Sequence, residues 1–192
     1  MIEQGKTRTS EPFDADGIHR ELLRAARLCH PDWETAGRLT FRPPLQNWTI
    51  WRDTVFLPVL YPAFVAAFAA FTQGHRRELA QTDAALNTAL PSGIAEASRR
   101  AGQRLLSDYT VPNAEKLWAS YRDRVSAGEA PGHFVVALAV RAAAFHLPQP
   151  LAASTLLLFE ARGGNPDSLP GEWTEMIAAA QPKESAPHLR AA

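Results

Sequence analysis

The sequence predicts an all-α fold: one helical bundle of about seven to eight helices around a central antiparallel hairpin. Three observations carry that expectation. Apolar residues recur at spacings of three and four along most of the chain, and no segment alternates apolar and polar residues as a half-buried strand does. Two apolar segments, too long for ordinary strands, also stand back to back between Gly132 and Gly164, separated only by Pro148-Gln149-Pro150. The first places Phe134, Leu138, Arg141 and Phe145 on one stripe, and the second, Leu151 to Arg162, is apolar nearly all round, as a helix enclosed by neighbours is. Pro150 suits the first position of the second helix, where its missing N–H has no intrahelical partner to lose. Gly163 and Gly164 supply its stop. The reading makes this hairpin a buried hub, the HLPQP corner included.

The remaining elements follow in order. Residues 1–13 are polar and read as a disordered lead-in, 14–181 as the all-helical domain, and 182–192 as a flexible tail. Asp14 or Asp16 caps a helix over 17–29 whose Ile18, Leu22, Ala25, Ala26 and Cys29 share a face. The proline-rich stretch 30–46 is irregular, with Trp33 and Phe41 folding it onto the body. Pro58 and Pro62 interrupt the apolar run from Trp48, because an interior proline costs a helix ~3 kcal/mol. A short helix or turn to about residue 57 and a second helix from Pro62, carrying Phe64, Phe68 and Phe71, is the expectation. A helix over 75–90 follows, with Leu79, Leu86 and Leu90 in register. Another runs from Ser92 to Ser107, with Ile94, Ala97, Ala101 and Leu105 inward and Glu96–Arg100 as an exposed i,i+4 pair. Gly102, mid-helix, costs ~1 kcal/mol against alanine, which a close helix–helix approach would offset. Asn113 caps a helix bearing Leu117, Trp118, Tyr121 and Val125, closed by Gly128. A last helix bears Trp173, Met176 and Ile177.

Composition narrows the function classes. The 192 residues are 46% hydrophobic, and twenty basic residues balance twenty acidic ones. That balance gives no overall attraction to nucleic acid or anionic lipid. One cysteine, Cys29, excludes an intrachain disulfide. The polar start has no signal-peptide pattern. Residues 53–71 contain Asp53, two prolines and Tyr61, and read as a buried soluble segment rather than a membrane span. A cytoplasmic protein is expected.

Catalytic motifs are missing: no phosphate-binding glycine loop, no GxSxG, no HExxH. None of the six histidines stands four residues from another, and His75 with Glu78 reads as exposed polar residues at a helix start. No metal site and no cofactor is expected. His133, after Gly132 at a helix start, reads as capping or packing. Arg141 interrupts an apolar stripe, and a buried guanidinium is costly unless paired. A structural ion pair with Glu160 and a side chain reaching out to the surface are both open. Arg99, Arg100 and Arg104, with His75, Arg76 and Arg77, form either a solvated face interleaved with Glu78, Asp83 and Glu96 or a docking site for an acidic protein surface.

The run IAEASRRAGQRLLSDY (94–109), and after it GHFVVALAVRAAAFHLPQPLAASTLLLFEA, resembles the urease accessory protein UreF family. Glu96, Ser98, Gly102, Leu105 and Leu106 match its first element, and Gly132, Ala137 and the HLPQPLA turn its second. DTVFLPVLYPAFVAAF (53–68) is similar to the family's aspartate, leucine-proline and small-residue helix. The likeness covers roughly residues 53–162. Two family motifs are replaced: the aromatic-Ser-x-x-Gly-Leu-Glu run, where this chain reads CHPDWETAGRLTFRPP, and a Gly-Gln motif, where it reads GGNPDSLPGEW. The resemblance implies a non-catalytic maturation factor that binds no nickel itself. It would bridge the nickel-delivering GTPase and a second, UreD/UreH-type accessory protein to the urease apoprotein, and it is compatible with a homodimer. Arg99, Arg100, Arg104 and His133 are then candidate partner contacts, and Gly102, Gly132, Arg141 and Glu160 candidate structural residues. Two rivals stand beside it. One is a small helical enzyme or ligand-binding protein with an apolar pocket lined by Trp48, Trp51, Phe64, Phe68 and Trp118. The other is a helical interaction module unrelated to metal enzymes.

Overall fold

A computed structural model describes residues 15–30, 47–108, 111 and 116–162. The expected lead-in, the 31–46 stretch with Trp33 and Phe41, the Asn113 cap, the Gly163-Gly164 stop, the Trp173 helix and the tail lie outside these residues. Among the described residues every regular element is helical: α1 (Ala15–Cys29), α2 (Trp48–Trp51), a π-helical segment (Arg52–Leu60), α3 (Tyr61–Thr72), α4 (Arg76–Ala89), α5 (Ser92–Asp108), α6 (Lys116–Ser126), α7 (Phe134–Ala144) and α8 (Gln149–Arg162).

The centre of the bundle is α7. It packs against α1, α3, α4, α5, α6 and α8, and every residue from Phe134 to Ala143 is buried. That explains why its sequence is apolar on all sides rather than on one stripe; each fully buried valine, leucine or phenylalanine contributes ~1.5–3 kcal/mol of transfer free energy. Helix α8 lies beside it against α1 and α3, with the Phe159 ring edge-on to Phe134 at 5.9 Å and 88°. The HLPQP corner is not inside the hub. His146 and Pro148 are exposed, and His146 adopts a left-handed φ of 55°. A tight turn needs water for the carbonyls that no helix satisfies, so the corner sits at the surface while the rods it joins are buried.

The proline-rich run departs further from expectation. Residues Trp48–Thr72 form one continuous rod of 25 residues. Pro58 is accommodated because the chain widens there to a π ladder, closed where the Tyr61 N–H donates to the Phe56 carbonyl five residues back. The wider register avoids the clash an α ladder would impose between the ring and the carbonyl four residues earlier. Pro62 stands in the first turn of α3. The rod is long and apolar enough to cross a membrane, yet one side is sunk in the bundle. Trp51, Phe56, Leu60, Phe64, Phe68 and Phe71 face the core, whereas Ile50 is 55% and Leu57 49% exposed on the outer side.

Helices α1, α4 and α6 bury the stripes their spacing predicts: Leu22, Ala25, Ala26 and Cys29; Leu79, Leu86 and Leu90; Leu117, Trp118, Tyr121 and Val125. Helix α5 is rotated by one position. Ala95, Ser98, Gly102, Leu105 and Leu106 are inward, while Ile94, Ala97 and Ala101 are half-buried. The rotation brings a hydroxyl and a glycine, rather than alanine methyls, against the start of α7.

Candidate functional site

The polar chemistry of the interior converges where α7 begins. Asp83 on α4 is completely buried. Its Oδ2 accepts the Gly132 N–H at 2.8 Å and the Tyr121 hydroxyl at 2.8 Å, and its Oδ1 accepts the His133 N–H at 2.9 Å. Ser98 Oγ accepts the next donor, the Phe134 N–H, at 3.2 Å. The first N–H groups of a helix have no intrahelical partner and sit at the positive end of its dipole. Here they are met by a carboxylate and a hydroxyl from two other helices. Burial pushes the Asp83 carboxyl up from its ordinary value, opposed by the two backbone N–H groups and the Tyr121 hydroxyl. Tyr121 in turn is pushed well up, by burial and by the adjacent carboxylate. Asp83 is therefore not one of the surface charges interleaved with the arginines.

Two glycines permit this closeness. A Cβ on Gly102 would lie 2.1 Å from the Gly132 carbonyl oxygen and 2.7 Å from both His133 C and Phe134 N, so α5 and the start of α7 meet backbone to backbone. Gly132 has a φ of +73°, and a Cβ there would stand 2.5 Å from Val125 Cγ1; strain and crowding both exclude a side chain. Gln103 Nε2 adds a bond to the Pro131 carbonyl at 3.2 Å.

His133 occupies the N-cap position of α7, but its side chain makes no capping bond. The ring is fully buried. Nε2 lies 3.0 Å from Asn87 Oδ1, the same oxygen that accepts Arg99 Nη1 at 2.6 Å. With that oxygen as acceptor, the Nε2 of His133 carries the proton and Nδ1, buried without a hydrogen-bond partner, holds the lone pair. Burial, and secondarily the Arg99 charge, press the His133 pKa down to about 4. A neutral, enclosed imidazole cannot itself touch a docking partner. The exposed members of the cluster are Asn87 and half-exposed Arg99. Beside them Arg100 pairs with exposed Glu96, and Arg104 is exposed. His75 Nδ1 and Glu78 meet at 3.1 Å at the start of α4, both open to solvent.

Arg141 on α7 and Glu160 on α8 are both buried, and each bonds a group from another element. Arg141 Nε donates to the Leu28 carbonyl at 2.9 Å, and its guanidinium lies 5.1 Å from the centre of the Phe145 ring. At 3% exposure it does not reach the surface. Glu160 Oε2 accepts the Trp51 indole N–H at 2.9 Å. The two ionic groups thus fasten α1 to α7 and the long rod to α8. Cys29 is sealed in the same region; burial pushes its thiol up to about 12, against the lowering contributed by the Thr155 hydroxyl, and a thiol so placed is inert.

The aromatic residues of the ligand-pocket reading pack against the core among the described residues. Trp51, Phe64 and Trp118 are at most 2% exposed and packed into the core, Phe68 is 8% exposed, and the Trp48 ring lies tilted against Phe56 with centroids 5.8 Å apart. Two surface depressions lie elsewhere. One of about 580 Å³ is lined by Lys116, Ser120, Asp123, Arg124 and Glu129 among others, and one of about 440 Å³ by Arg20, Leu23, Arg24, Arg27 and Leu28. Among the described residues no three histidine, cysteine, aspartate or glutamate side chains are grouped to hold a metal ion.

These features define a class: among the described residues, a bundle of helices locked together by buried polar groups contributed from different helices. The family model for UreF matches residues 44–163. The chain belongs to the UreF family of urease accessory proteins. No curated protein and no solved structure matches it. The matched stretch begins just before α2 and ends just after α8, so α1 lies outside it.

Proposed function

We propose that this protein is a non-catalytic scaffold of urease maturation. It acts in the cytoplasm, bridging a nickel-delivering GTPase and a UreD/UreH-type accessory protein to the urease apoprotein. The observation that carries this reading is the family match, which spans every element from α2 to α8. The architecture supports it. The Asp83 junction fixes α4, α5, α6 and α7 relative to one another, giving the rigid frame that a bridging protein needs to present surfaces at a set distance.

Arg99, Arg100 and Arg104 form the partner-facing side of α5, with Asn87 beside them. Their outward charge orients an acidic partner surface and raises the rate of encounter more than the final affinity. His133 positions this face from beneath. The outer side of the long rod, with Ile50 and Leu57 exposed, is the surface for a second copy of the chain.

Complementation is the test. A urease gene cluster whose own UreF-type gene is removed, supplied with this chain, should produce nickel-loaded, ammonia-releasing urease, and a tagged chain should recover both accessory proteins. Recovery of neither protein, together with no activation, refutes the scaffold reading. R99E/R100E/R104E, with its helix content intact by circular dichroism, should weaken capture by tenfold or more; undiminished capture removes α5 from the docking surface. I50E/L57E should halve the mass seen by light scattering, and an unchanged mass rules out pairing through the rod.

A further inference from the structure

The side-chain amide of Asn87 is held by two donors from different elements. Its Oδ1 accepts Arg99 Nη1 from α5 at 2.6 Å and His133 Nε2 from the start of α7 at 3.0 Å. A guanidinium carries donors alone, so the oxygen of the amide, and not its nitrogen, has to face Arg99. That choice in turn fixes Nε2 of His133 as the protonated nitrogen. Asn87 Nδ2 is left on the other side of an exposed residue, and among the described residues no acceptor meets it. Arg99 is half-buried, and its hydrogen-bond partner is a neutral amide, which occupies one N–H without compensating the charge. The next arginine on α5 differs, because Arg100 is paired with Glu96. Asn87 and Arg99 therefore present donors only, together with one positive charge that the amide does not neutralise.

We propose that Asn87 and Arg99 form a recognition site for a single carboxylate, the side chain of an aspartate or glutamate on the surface of a partner protein. A carboxylate is planar, offers acceptors alone, and brings the negative charge that the Arg99 environment lacks. A ligand ammonium or guanidinium would set donor against donor and is rejected. Arg99 is partly buried, so salt screens its attraction for an acid less than it screens a fully exposed cation. Phosphate fits less well, because its additional negative charge would go unmet by one arginine in a chain whose twenty basic and twenty acidic residues balance. Asn87 is the specificity-determining residue. Its amide is locked with the donor side outward, where an aspartate would turn an acceptor toward the ligand. The site deepens the α5 docking face and rests on the scaffold reading for the partner that carries the acid, while binding of the acid itself is measured on this chain alone.

Hexaglutamate is the probe, titrated into the isotope-labelled full-length chain at fixed ionic strength and followed by NMR. The Nδ2 resonances of Asn87 and the side-chain N–H resonances of Arg99 should shift saturably. Asn87→Asp keeps an acceptor for Arg99 and His133 but turns an oxygen outward, and should weaken binding by at least about tenfold. Arg99→Lys keeps the charge and loses the planar fork, and should weaken it about fivefold. Gln81→Glu makes the same amide-to-acid change at another exposed position of α4, and should alter binding by less than about twofold. Unshifted Asn87 and Arg99 signals overturn the proposal. So does an Arg99→Lys chain that binds as well as the parent, or equal weakening by Asn87→Asp and Gln81→Glu, since either leaves only diffuse charge attraction. Inorganic phosphate that displaces the peptide at equal concentration also overturns it, by assigning the site to a phosphorylated ligand. Peptide binding that persists while urease activation fails strikes the scaffold reading and leaves the carboxylate site in place.

Discussion

Placing a methyl group on Gly102 is the sharpest test of how α5 and α7 are joined. The new Cβ would stand 2.1 Å from the Gly132 carbonyl oxygen and 2.7 Å from two further backbone atoms. Non-bonded carbon and oxygen atoms settle near 3.5 Å, so the two backbones must part by ~1.4 Å. Neither neighbour is a flexible side chain that can swing away. The parting also stretches the bonds of Asp83 to Gly132 and His133 and of Ser98 to Phe134, which stand at 2.8, 2.9 and 3.2 Å. Overpacking costs ~1–3 kcal/mol, and a weakened hydrogen bond to a buried charge costs ~1.5–3 kcal/mol. Alanine's better helix propensity returns ~1 kcal/mol. Gly102→Ala should therefore lose about 3 kcal/mol net. Gly93 is the control: it lies in the same helix with nothing within 4 Å of its Cβ position, and Gly93→Ala should be neutral or stabilising by up to ~1 kcal/mol. Urea titration followed by circular dichroism at the helix band measures both. A Gly102→Ala protein within 1 kcal/mol of the parent, or no worse than Gly93→Ala, would refute the backbone-to-backbone account.

Asp83→Ala removes the acceptor of three donors at once and should cost ~3–5 kcal/mol; urea titration showing a loss under 1 kcal/mol would mean that the α7 start is held by something else. His133 has a folded pKa depressed to about 4 from 6.5, so its contribution is complete above pH 6.5 and is lost as pH falls toward 4. The shift bounds that loss at ~3 kcal/mol, less where water reaches the ring. Asp83, with its raised pKa, acts in the opposite sense above 3.8, so the contrast between the parent and His133→Gln isolates the histidine: thermal midpoints should fall more steeply with acid in the parent, and parallel curves would contradict the assignment. Trp51→Phe keeps the ring packing but takes the indole N–H from buried Glu160, for a loss of about 2 kcal/mol in urea titration; an unchanged midpoint would show that Glu160 does not depend on it.

Much of the fold was legible from spacing alone. The stripes of α1, α4 and α6 are runs of side chains sorted by solvent, which periodicity reports directly. The cost of a mid-helix glycine pointed to a close approach at Gly102, and the place of Gly132 before an apolar run marked the start of α7. Asp83 was readable too, had its position outweighed its charge. It falls between Leu79 and Leu86 on the same stripe, and an aspartate on a leucine stripe signals a buried acceptor. The bonds of Arg141 to Leu28 and of Glu160 to Trp51 were not readable, because they join residues more than a hundred positions apart in sequence and no local rule spans that distance. The π segment escaped for another reason: the rule against interior prolines assumes an α ladder, and a wider ladder removes the clash on which the rule depends. Exposure of Ile50 and Leu57 depends on which neighbours happen to cover a rod, and composition carries no record of that.

The central helix cannot start by itself. Its cap comes from a carboxylate about fifty residues upstream, so on a growing chain the α4–α6 half has to be standing before α7 can settle into place. Once closed, the clasp makes opening that half expensive, since doing so would strand an aspartate and three donors together. If this protein changes shape as its assembly forms, the yielding parts should be those outside the clasp, α1 and the first turns of the long rod, and not the half it pins shut.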